Sequence, residues 1–172
     1  QIKGSAETIM NSSQVGFYLV RYTEEMLRKL EEKIKKRQMS SLDRVGISSN
    51  AYALARSCYV PATTFLSLVD AYQSETDYTV LSEIATNLTL TQGLFPKAAF
   101  SSKFNIFIRR IFQQAYNRLG WDEQPKEEHT TKLLRATAIS MLGFNEDQEV
   151  LQEANKNFEQ HLKKKDLNPN LR

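Results

Sequence analysis

The clearest periodicity in the chain lies in residues 103–119. There Phe104, Phe107, Ile108, Ile111, Phe112 and Ala115 recur on one face of a helix, and Gly120 supplies a stop. Phe107 and Ile111 stand one turn apart on this most apolar stripe, so both are expected to be almost fully buried. The i, i+3, i+4, i+7 spacing also puts Phe65, Leu68, Val69 and Tyr72 on one stripe, with Pro61 suited to a first helical position. In residues 23–37, Leu27, Leu30 and Ile34 repeat at helical spacing, with Lys and Arg on the other faces. Asp77 can cap a helix that carries Leu81, Ile84, Ala85 and Leu88 and closes at Gly93. Residues 130–142, ended by Gly143, form another. Residues 146–165 form the last, with Leu151, Ala154, Phe158 and Leu162. Residues 41–57 are weaker, because Gly46 interrupts them. One run alone reads as a strand: the aromatic and β-branched residues 16–22, from Gly16 to Tyr22. The prediction is an all-α fold of about seven helices. Short turns favour antiparallel pairs, and a HEAT-like, solenoid-like superhelix fits them, although no repeat of fixed period is found.

Composition narrows the classes. A chain of 172 residues suffices for one domain burying roughly 70% of its unfolded surface. Hydrophobic residues at 41% and charged residues at 25% are ordinary for a soluble protein. The net charge of +3 is too small and too mixed to argue for nucleic acid or membrane. No apolar run approaches a membrane span, and no signal-peptide pattern opens the chain. The lone Cys58 makes no internal disulfide.

Chemistry is sparse. A helical zinc site needs two His four apart with a nearby Glu, whereas His129 and His161 stand 32 positions apart. Solvated or hydrogen-bonded histidines are the simpler reading. A Cys58/His129 nucleophile pair is conceivable, but a lone Cys on a helical apolar face is usually a small core residue. Gly93, Leu94, Phe95, Pro96 and Lys97 lack the second glycine and the Lys-Ser/Thr pair of a phosphate loop. The basic stretches 28–37 and 163–165 could bind phosphate. Glu31 and Glu32 interrupt the first, and the second ends a helix, so a solvated face accounts for both. The Phe104 to Phe112 stripe could wall a ligand, yet at this spacing core is the commoner role. Asn11 and Asn87 begin glycosylation sequons, Asn87 inside a predicted helix.

Four stretches go further. Residues 11–22 (Asn-Ser-Ser-Gln-Val-Gly-Phe-Tyr-Leu-Val-Arg-Tyr) resemble the junction where the β-sandwich of a zinc aminopeptidase enters its helical C-terminal domain. Asp43, Arg44, Val45 and Gly46, followed by Ala53, Leu54, Ala55, Arg56 and Ser57, look like the first long helix of that domain. Residues 77–80 (Asp-Tyr-Thr-Val) and 119–129 (Leu-Gly-Trp-Asp-Glu-Gln-Pro-Lys-Glu-Glu-His) are similar to its puromycin-sensitive subgroup. Leu133, Leu134 and Arg135, then residues 167–172 (Leu-Asn-Pro-Asn-Leu-Arg), continue the match in the same order. It covers about residues 11–172. The chain departs from the family at Leu19, where Arg is common, and at Leu81, where Trp is usual.

The resemblance implies a piece of a larger enzyme. Residues 1–22 would be the tail of the β-sandwich with a junction strand, and residues 23–172 the first part of the helical domain. The family's zinc ligands, its general-base Glu and its substrate loop have no counterpart here. The implied catalytic and metal residues of this chain are therefore none, and its substrate contacts stay open. The expected function is non-catalytic: helix pairs that cap the cleft of a cytoplasmic zinc aminopeptidase and help enclose its peptide chamber. In the parent, a zinc-bound water would attack the scissile carbonyl. The implied partners are the catalytic and β-sandwich domains of the same polypeptide and the parent's peptide substrate, with neither nucleic acid nor membrane. A free-standing α-solenoid interaction module is the alternative. If the chain is an excerpt, the 16–22 edge, an apolar flank at Leu151, Phe158 and Leu162, or both should make it self-associate or leave it only marginally stable.

Overall fold

The computed structural model describes residues 8–95 and 99–163. Among these, seven α-helices follow a short 3-10 turn, Ser12–Gln14, and there is no β-strand. The helices are α1 (Glu24–Lys35), α2 (Ser41–Arg56), α3 (Ala62–Asp70), α4 (Tyr78–Leu94), α5 (Ser101–Leu119), α6 (His129–Phe144) and α7 (Gln148–Leu162). The fold is all-α. Two compact units divide it, Gln1–Thr89 and Leu90–Arg172.

Local chemistry sets most helix ends. Thr23 Oγ1 accepts the Met26 N–H at 3.3 Å. Glu24 and Glu25 fill the first turn of α1 and Lys33 and Lys35 its last, in line with the helix dipole. The Asp77 carboxylate takes the amides of Thr79 and Val80 at 2.8 and 3.3 Å, as its position predicts for α4. Gly120, at φ 64, ends α5 in a conformation that a Cβ would strain, and its N–H reaches Tyr116 O at 2.7 Å. Gly93 and Gly143 do not stop their helices, which run one residue further. Pro61 is the N-cap of α3 rather than its first residue. Asp147, not residue 146, opens α7 by accepting the Val150 N–H at 3.2 Å.

In the first unit α2 packs on α3 and on the 3-10 turn. Leu30, Ile34, Ile47, Phe65, Leu68, Val69 and Ile84 form its buried interior. Leu81, the departure from the family's Trp, lies in this core as well. In the second unit α5 packs on α6 and α6 on α7, around Ile108, Ile111, Phe112, Leu134, Ala138 and Leu142.

Three expectations need correction. The predicted strand is irregular backbone, because the described residues offer no second extended segment to complete a ladder. A side chain of α2 takes one of its donors instead, Val20 N–H reaching Asn50 Oδ1 at 3.0 Å, and just before the run Ser13 N–H reaches Asp43 Oδ1 at 2.6 Å. Phe107 is only half-buried, at the edge of the α5 stripe rather than its centre. It stacks on Phe104, with ring centroids 6.2 Å apart, and the Arg110 guanidinium lies 5.5 Å over its ring. Cys58 is exposed, not core, since it falls in the turn after α2 at φ 59. The apolar flank on the last helix is present: Phe158 and Leu162 stand 58% and 66% exposed, while Leu151 is half-buried.

Candidate functional site

The residues first screened for chemistry are dispersed. His129, at the start of α6, and His161, near the end of α7, are both exposed, as is Cys58. Among the described residues no group of three or more His, Cys, Asp or Glu side chains is gathered as a metal site requires. A small apolar cleft in the first unit, of about 20 Å³ and lined by Tyr22, Leu27, Ile47, Ala51, Leu54 and Val60 among others, has room for about one water. The Asn87 amide is buried and bonds Glu83 Oε1 at 3.1 Å. The Asn11 amide is taken by Gly16 O at 2.8 Å. A glycan on either nitrogen would displace these contacts. Among the described residues no helix is long and apolar enough to cross a membrane.

The stretches that carry the family resemblance do converge, on buried polar locks. In residues 43–46, Arg44 turns inward and pairs with Glu75 through Nε at 2.6 Å and Nη2 at 3.1 Å. Its remaining nitrogen donates to the Met39 carbonyl. Glu75 Oε1 also accepts the Thr76 and Asp77 amides at 2.8 and 2.9 Å, so the carboxylate is saturated. The buried Tyr72 hydroxyl donates to Arg44 O at 2.7 Å, and burial pushes its pKa upward. Gly46 allows a close approach: a Cβ there would overlap the Gln14 side-chain amide.

A second lock forms from residues 119–135. Arg135, 2% exposed, forks onto Glu127 through Nη1 at 2.6 Å and Nη2 at 2.5 Å, and donates to Leu119 O, the end of α5, at 3.3 Å. Hydrogen bonding from Arg135 holds the Glu127 carboxyl below the ordinary glutamate value. Beside it Lys132 pairs with Glu123 at 2.7 Å. Asp43 and Asn50 pin the segment before α1, as described above. Sequence reading reached Arg44 and Arg135 only inside quoted motifs and gave Glu75 no role. Its one signal is an acid in the turn just before a capped helix. The motif at 167–172 lies outside the described residues.

A model of the family described as "ERAP1-like C-terminal domain" matches residues 8–172. The chain belongs to that family. Aminopeptidase M1 of Arabidopsis thaliana is 32% identical over 165 residues, 94% of this chain but 19% of the relative. Aminopeptidase M1-A of Oryza sativa subsp. japonica is 31% identical over 151 residues, 87% of this chain and 17% of that protein. Aminopeptidase 2 of Candida albicans is 26% identical over 167 residues, with 95% and 18% covered. The chain thus spans under a fifth of the length of these curated relatives. In this ERAP1-like C-terminal domain, then, the stretches that carry the resemblance supply residues of both locks.

Proposed function

We propose that this ERAP1-like C-terminal domain is a non-catalytic wall of a larger aminopeptidase, capping its cleft and helping enclose the chamber that receives peptides. The match of residues 8–172, within relatives named aminopeptidases and about five times longer, carries this reading. The helices and their buried locks support it, because a rigid scaffold shapes a chamber better than a loop does. The zinc that the resemblance attributes to the parent finds no fitting donor set among the described residues: His129 and His161 are exposed on different helices. No step of the chemistry is assigned to these residues. Substrate size is the property this domain would govern, by limiting which peptides enter.

Two measurements test it. The purified chain should release no dye from aminoacyl substrates, with or without added zinc. Metal-dependent turnover lost on changing His129 or His161 would overturn the reading. In the parent enzyme, Glu75→Ala should alter kcat/KM for a ten-residue peptide more than for an aminoacyl dye. An equal change for both would remove the chamber role.

A further inference from the structure

The turn between α1 and α2 reads Lys36, Arg37, Gln38, Met39, Ser40, so two basic residues stand four and three positions before a serine. Lys36, Arg37, Gln38 and Ser40 are exposed, and Met39 is turned inward. Arg37 sits at φ 53, and its guanidinium donates to the half-buried Thr76 Oγ1 at 3.1 Å. A basic residue three positions upstream of an accessible hydroxyl is what basic-directed protein kinases select, since acidic groups in their clefts take the cation. We propose that Ser40 is a phosphorylation site for a kinase of this class, and that phosphate there unlatches residues 11–16 from α2. In the transfer, Ser40 Oγ bonds the γ-phosphorus of magnesium-bound ATP. The bond to the β,γ-bridging oxygen breaks, ADP leaves, and the hydroxyl proton passes to the kinase's catalytic carboxylate.

The consequence follows from what Ser40 touches. Its hydroxyl donates to Asp43 Oδ2 at 2.7 Å and accepts the Asp43 N–H at 3.1 Å. The other oxygen, Asp43 Oδ1, holds the Ser13 N–H at 2.6 Å. Phosphorylation removes the donated hydrogen and sets a group of nearly two negative charges against this carboxylate. The phosphate itself is favoured at the start of α2 and beside Lys36 and Arg37. Asp43 is therefore the group that gives way, and Ser13 loses its acceptor. Val20, held by Asn50 at 3.0 Å, keeps its own.

The test incubates the 172-residue chain with magnesium-ATP and a purified basic-directed kinase, with a free peptide of residues 33–45 as the positive control. One phosphate mapped to Ser40, abolished in Ser40→Ala, retained in Ser41→Ala and slowed in Arg37→Ala, is the expected result. Amide hydrogen exchange on the phosphorylated chain should then speed at Ser13 by about tenfold, the worth of one charge-assisted hydrogen bond, and change less at Val20. If the peptide is phosphorylated and the folded chain is not, or if the phosphate maps elsewhere, the site is overturned. Phosphate on Ser40 with unchanged exchange at Ser13 overturns the unlatching.

Discussion

Arg44 and Arg135 are both buried guanidiniums facing a glutamate, but the first reaches 31 positions along the chain and the second only eight. Glu75, at 1% side-chain exposure, is sealed in and takes two backbone amides besides Arg44. Glu127, at 11%, lies nearer solvent, and Arg135 divides itself between that carboxylate and the last carbonyl of α5. The Arg44 lock spans α3 and ties the α1–α2 turn to the α3–α4 turn, so it depends on the tertiary packing of its unit. The Arg135 lock shapes the connection between two consecutive helices. Loop-closure entropy grows slowly with separation, so burial and partner number, rather than distance along the chain, should rank them.

The sharpest way to break that ranking is Glu75→Ala, which leaves the Arg44 charge buried and unmatched. It should cost roughly 3–5 kcal/mol in urea unfolding, with an unchanged denaturant slope. The joint replacement Arg44→Met with Glu75→Leu should recover only part of the loss, because the charges vanish together while the Thr76 and Asp77 amides still lose their acceptor. If the single change costs no more than a surface substitution, the first lock is not the stronger one. An apolar yardstick for the second unit is Phe112→Ala, fully buried, at roughly 3–5 kcal/mol. Phe107→Ala at the half-exposed edge should cost less than half as much. Equal losses would put Phe107 in the core after all.

Acid distinguishes the second lock. Glu127 binds its proton more weakly folded than unfolded, so its stabilising effect is complete above the ordinary glutamate pKa and fades as pH falls below it. The gap in urea midpoint between the natural chain and Glu127→Gln should therefore narrow between about pH 5 and about pH 3. A gap that widens toward acid would contradict the lock. The smallest effect belongs to the solvated pairs of α1. Lys29→Ala, which breaks an exposed 3.5 Å pair with Glu25, should change stability by no more than about 0.5 kcal/mol.

Legibility followed the apolar positions. Residues 103–119 and 61–72 announce their helices because each turn repeats a large side chain on the buried face. The weak pattern at 41–57 has a physical cause: the positions α2 buries include Asp43, Arg44, Gly46, Ser48 and Asn50, which no hydrophobic count detects. Spacing alone puts Cys58 on a helical face, whereas the helix ends at Arg56.

By itself, then, the amino-acid order determined the class of fold, the approximate seven helices, the cap at Asp77 and the stop at Gly120, since these depend on periodicity and on contacts within a few residues. The collinear motifs also determined the family. Tertiary structure alone decided that Glu75 meets Arg44, that Asn50 takes a donor of the would-be strand and Asp43 one just before it, and that Phe107 lies at a margin. Each of these joins residues by packing rather than by sequence spacing. A buried charge or a stray backbone donor finds its partner only once the helices have met.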